Sequence, residues 1–82
     1  MDIRILLLGE LGARFGREHA LEFTEGLTVG DLRRRLIERL DGSGPALSGP
    51  AIRLAVDQTI VPETASLRPG QEVAVLPIFS GG

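Results

Sequence analysis

The chain has 82 residues, room for one domain and no second. With 43% hydrophobic and 24% charged residues it has the make-up of a globular protein, which excludes wholesale disorder. The net charge is −2 and there is no Cys, Tyr or Trp, so a disulfide framework, a zinc–cysteine site, an iron–sulfur cluster and a thiol nucleophile are excluded, and a nucleic-acid binder with basic excess and stacking aromatics is disfavoured. The first apolar run stops at Leu8, too short for a signal sequence or a membrane span, so the expected location is cytoplasmic, with no membrane partner.

Ile3 to Leu8 is apolar except for Arg4 and predicts a buried strand. Gly9 to His19 reads as a loop, in which one helical turn would tuck Leu11 and Phe15 into the core. Ala20 to Phe23 alternates and predicts a second strand, antiparallel to the first, before a turn at Glu25-Gly26. Thr28-Val29-Gly30-Asp31 has the form of a capping box, a hydroxyl followed three residues later by a carboxylate. Val29, Leu32, Leu36 and Leu40 then share one helical face with Ile37 beside them, while Arg33, Arg34, Glu38 and Arg39 point elsewhere. Asp41-Gly42 ends that helix, and residues 41–50 read as a flexible connector. Residues 51–56 alternate as a third strand. Asp57-Gln58 turns into a short strand at Ile60-Val61, which Pro62 confines to an edge. Pro69-Gly70 is a turn, and Glu72 to Phe79 is the last strand.

This order predicts an α+β fold, a mixed sheet of four to five strands with one main helix on one face. The first and last strands are the most apolar and are expected to lie central and adjacent. The other face then has nothing on this chain to cover it, and such a face marks a partner surface. Leu6, Leu8, Leu76 and Ile78 are a candidate set for it.

Catalytic and metal signals are missing. His19 is the only His and reads as solvated; Ser43, Ser48, Ser66 and Ser80 lack a nucleophile context; Asp31, Glu38, Asp57, Glu63 and Glu72 lack metal-ligand spacing. Gly9, Gly12 and Gly16 do not match a phosphate cradle. Arg33-Arg34-Arg35 reads as a solvated helix face that steers an acidic partner at most. The chain is therefore expected to be no enzyme on its own, with no metal and no bound cofactor.

The last residues read Leu76-Pro77-Ile78-Phe79-Ser80-Gly81-Gly82. Pro77 stiffens the exit from the last strand, Phe79 suits a partner groove, and Ser80-Gly81-Gly82 is thin enough to thread a narrow channel. A tail of that shape serves a carboxylate that is itself the reacting group.

The stretch Glu72-Val73-Ala74-Val75-Leu76-Pro77 through Gly81-Gly82, with Leu54-Ala55-Val56-Asp57-Gln58-Thr59, resembles the ubiquitin-like sulfur carriers of the MoaD/ThiS type, and most closely the small subunits of molybdopterin synthase. The resemblance covers nearly the whole chain. Ile78 stands where a second Pro is common, Asp57 where Asn is frequent, and Gly12 about where the first loop often has an Arg.

The resemblance implies a β-grasp fold, one domain over residues 1–82 with a flexible tail at residues 78–82. An E1-like adenylyltransferase would use ATP to adenylate the carboxylate of Gly82, and a sulfur donor protein would displace AMP to leave a thiocarboxylate. Gly81 would let the tail thread the large subunit of molybdopterin synthase, where sulfur passes to a pterin precursor. Leu6, Leu8, Leu76, Pro77, Ile78, Phe79 and Ser80 would bind partners, in a heterotetramer of two small and two large subunits. Sulfur supply for thiamine, cysteine or tRNA thiolation, and attachment to Lys of other proteins, remain as alternatives. The absent Lys has two readings: codon bias, or an activated C-terminus that has no Lys of its own chain to acylate.

Overall fold

The computed structural model describes residues 1–77. Five strands, β1 (Asp2–Leu7), β2 (Glu18–Glu22), β3 (Ile52–Val56), β4 (Thr59–Ile60) and β5 (Glu72–Pro77), form one sheet in the order β2-β1-β5-β3-β4. β1 and β5 are parallel, with Leu7 beside Val75; every other neighbour is antiparallel. The first and last strands are thus adjacent, as their apolar character predicts.

Three helices accompany the sheet: α1 (Glu10–Phe15), α2 (Val29–Arg39) and α3 (Gly44–Leu47). The capping box at Thr28 is formed: Asp31 N donates to Thr28 Oγ1 (3.2 Å) and Thr28 N donates to Asp31 Oδ2 (3.1 Å). The next free N–H groups are also used, Val29 N on Ala65 O (3.0 Å) and Gly30 N on Glu63 O (2.9 Å). This end of α2 therefore spends its donors within the chain and offers no anion site. Val29, Leu32 and Leu36 bury the predicted stripe against Ile3, Ile5, Leu7, Leu54, Val73 and Val75. Each such side chain contributes about 1.5–3 kcal/mol by leaving water.

The Gly9–His19 loop resolves into α1, with Leu11 buried and Phe15 packed on the core rim, and β2 begins at Glu18 rather than Ala20. Gly12 is required there, because a Cβ at that position would meet Leu7 O at 2.5 Å. An Arg cannot stand at this place in the fold. The connector at 41–50 contains α3, which the Gly-rich composition hides: Pro45 in its first turn favours a helix start, and Leu47 is fully buried. Ser43 is buried too, its Oγ donating to Ile37 O (3.4 Å). The β3–β4 hairpin turns on Asp57 and Gln58, both at positive φ (48° and 72°), as a two-residue turn between twisted strands requires. Asp57 withstands this by accepting from Gln71 Nε2 (3.0 Å) and Glu72 N (3.4 Å).

The capping box makes a stability prediction with a sign. Thr28→Ala is expected to cost about 1 kcal/mol, read from the urea midpoint. The Thr28 backbone N–H, its hydroxyl, and Arg34 and Arg35 hold the Asp31 carboxyl below its ordinary value of 3.8. The stability this adds is complete above that value and is lost as pH falls through the lower folded one. Asp31→Asn is expected to remove that part of the acid loss when midpoints at about pH 6 and about pH 3 are compared. An unchanged pH dependence in the variant would refute the assignment.

Candidate functional site

Alternation along each strand divides the sheet into two faces. Ile3, Ile5, Leu7, Val73 and Val75 point to the helices and are buried. The opposite parity is set by the register. Leu6 pairs with Ala74, Ala74 with Ala55, Leu76 with Arg53, and Ala55 with Ile60. Leu8 N donates to Val75 O (3.0 Å), which carries the β1–β5 ladder one step further and places Leu8 level with Leu76. Leu6, Leu8, Ala74 and Leu76 are half-buried with no helix over them, and Ile60 is 54% exposed. The open face is therefore an apolar centre on the middle strands.

Its rim is charged. Arg4 Nη2 donates to Glu18 Oε1 (3.0 Å), and that bond and charge, with Glu72 behind them, raise the guanidinium further above its already high value. The pair closes one side of the apolar centre. Arg53 closes the other, its Nη1 donating to Pro50 O (2.6 Å). Both side chains are exposed, so this rim orients an arriving surface more than it stabilises the fold.

The expected docking residues Leu6, Leu8 and Leu76 are brought together on this face. Pro77 has the other parity: it ends β5 opposite Ile52, and with no N–H it cannot extend the ladder through its nitrogen. Ile78, Phe79, Ser80, Gly81 and Gly82 lie outside the described residues. Sequence reasoning missed Ala74, Ala55 and Ile60, whose membership follows only from the register between strands.

The other candidates fall elsewhere. His19 faces the helix side, half-buried, with Nε2 bonded to Gly16 O (2.9 Å). The three consecutive arginines divide. Arg34 pairs with Asp31, Arg35 Nη2 donates to Thr24 Oγ1 (3.1 Å), and Arg33 is drawn inward, its side chain 15% exposed. Arg33 donates to Leu47 O (3.3 Å) and Ile52 O (3.4 Å) and ties α2 to α3 and β3. Its Nε lies 3.2 Å from Glu63 Oε1, close enough for charge pairing but without the geometry of a hydrogen bond. A cleft of about 310 Å³ beside β3 and β4 takes Arg33, Arg53, Leu54, Val61 and Glu63 into its wall, with Glu63 paired to Arg33 and Arg53 bonded to Pro50 O. Among the described residues no three His or acidic side chains converge as metal ligands, and no helix is long and apolar enough to cross a membrane. The open face thus pairs an apolar centre with a charged rim of Arg4, Glu18, Glu72 and Arg53.

A ThiS family model matches residues 5–82. The chain belongs to the ThiS family of ubiquitin-like sulfur carriers. Solved structures agree on the fold. A Pyrococcus furiosus protein assigned as molybdopterin converting factor subunit 1 superposes with TM-score 0.80 at 20% identity, over 96% of this chain and 99% of that one. SAMP1 from Haloferax volcanii gives 0.78 at 22% identity over all of both chains. The complex of subunits 1 and 2 of the molybdopterin-converting factor from Helicobacter pylori gives 0.71 at 16% identity, again over all of both chains. Comparison with curated proteins returns no match. This ThiS-family chain thus has the β-grasp architecture, and one of its structural relatives is seen with a partner subunit.

Proposed function

We propose that this chain carries sulfur as a thiocarboxylate on Gly82 and delivers it to a pterin precursor as the small subunit of molybdopterin synthase, in the cytoplasm. The observation that carries this reading is the open apolar face, whose central strand β5 runs directly into Ile78-Phe79-Ser80-Gly81-Gly82. One surface docks a partner and the strand inside it leads to the reacting end.

In the proposed sequence, an E1-like adenylyltransferase lets a Gly82 carboxylate oxygen attack the α-phosphorus of ATP, and pyrophosphate leaves. The terminal sulfur of a donor protein's persulfide attacks the acyl carbon, and AMP leaves. A second thiol then attacks the inner sulfur of the resulting acyl disulfide, which closes a disulfide on the donor and releases the thiocarboxylate. The large subunit then covers Leu6, Leu8 and Leu76, Ile78 and Phe79 dock beside them, and Ser80-Gly81 threads the channel. Catalytic groups belong to the partners. Two small and two large subunits would form the working assembly, and the carrier itself binds no cofactor.

The test is the intact mass of the chain purified from its own host without a C-terminal tag, with the proteins that accompany it. A fraction with sulfur in place of one oxygen on Gly82, together with a pterin-synthase large subunit, is the expected result. A thiocarboxylated chain accompanied by a thiamine, cysteine or tRNA-thiolation enzyme would reassign the pathway. Adducts through Gly82 to Lys of other proteins would replace the reading with that of a protein modifier.

A further inference from the structure

On the reading of Gly82 as an activated acyl group, we propose that the carrier keeps every amine of its own beyond that group's reach, so that only a partner's nucleophile can accept the acyl carbon. The 82 residues include no Lys, and all nine basic residues are Arg. A guanidinium stays protonated and does not attack an acyl group at ordinary pH. The charge that Lys supplies on most surfaces is here supplied in a form inert to acylation.

The strand register completes the separation. Leu7 lies beside Val75, which puts Gly9 level with Pro77. Met1 is then eight residues back along a parallel strand, about 26 Å away at about 3.3 Å per residue. The five residues after Pro77 span at most about 18 Å when fully extended. The Met1 amine is exposed but lies at the wrong end of the sheet. Cationic side chains do stand within that span, Arg53 and Arg17 among them. Arg53 pairs across from Leu76, and Arg17 sits beside β1, its carbonyl accepting from Leu7 N (2.8 Å). His19 Nε2 is bonded to Gly16 O, and Ser48 Oγ to Gly44 O.

The magnitude shows why this matters. An amine tethered within reach acts at an effective concentration of about a millimolar. Against a partner at micromolar concentration it would win the acyl group by about a thousandfold. One Lys at residue 53 or 17 would turn a carrier into a self-sealing loop.

The experiment uses the full chain carrying a small-thiol thioester at Gly82, installed by intein cleavage. Wild type is expected to hydrolyse to the free acid. In Arg53→Lys and Arg17→Lys, Nζ attacks the thioester carbon, the C–S bond breaks as the C–N bond forms, and the thiol leaves with the amine's proton. The product is lighter than the free acid by one water, and its peptide map joins the new Lys to Gly82. Thioester loss is expected to be about tenfold faster or more than in wild type, at a rate independent of protein concentration. Equal formation of the water-loss product by wild type would overturn the proposal, as would simple hydrolysis in both variants. Because the thioester is installed chemically, the outcome does not depend on whether the host loads sulfur on Gly82, and a negative result in the host leaves this test intact.

Discussion

A chain lacking Gly82 is expected to lose sulfur transfer by about a thousandfold or more while melting at the same temperature as wild type. The loss follows from reach. One residue fewer withdraws the carboxylate by about 3.5 Å, and a displacement of about 1 Å in a reacting group already costs about a hundredfold. The fold is spared because the sheet closes before the tail starts. Val73 and Val75 supply the buried side chains of β5, and the ladder to β3 reaches Pro77. Thiocarboxylate formation by mass spectrometry and a thermal melt of the same sample separate the two effects. A truncated chain that still delivers sulfur would remove Gly82 as the carrying residue, and the proposed function with it.

Leu76→Asp is expected to weaken binding of the large partner subunit by about 30- to 1,000-fold, the range for losing a central interface anchor. Leu76 sits on the open face near the end of the central strand, level with Leu8 and opposite Arg53. A carboxylate there would be desolvated under a partner without a matching charge. In the free chain it faces solvent beside Arg53, so folding is expected to tolerate it. Leu8→Asp is the companion variant on the neighbouring strand. Calorimetric titration against the large subunit measures both. Wild-type affinity in both variants would show that docking uses another surface.

Much of the fold is legible in the sequence, and the reasons are local. The α2 signals are short-range: a hydroxyl and a carboxylate three residues apart, then an apolar stripe. The first and last strands stood out because both of their faces are apolar. What the sequence hides is decided by how the elements pack on one another. Gly12 looked like loop punctuation, whereas it is the small residue that lets α1 pack on the Leu7 carbonyl. Leu47 sits among Gly, Ser and Pro, and nothing nearby marks it as core. Arg33 was grouped with its neighbours by composition, yet it follows Val29 by four and so flanks the buried stripe, a spacing that already sets it apart from Arg34 and Arg35. The open face needed the register, because parity along one strand does not say which side the helix covers.

The place of β5 in the sheet has a consequence for biosynthesis. Among the described residues β5 is the last strand in chain order, and the fold puts it in the middle, between β1 and β3. Until Glu72 to Pro77 has emerged, β1 and β3 each have an unpaired edge and the core lacks Val73 and Val75. The same strand that completes the core leads to the proposed reacting end. A chain that stops before β5 therefore lacks both the completed sheet on which the open face lies and the tail that follows it.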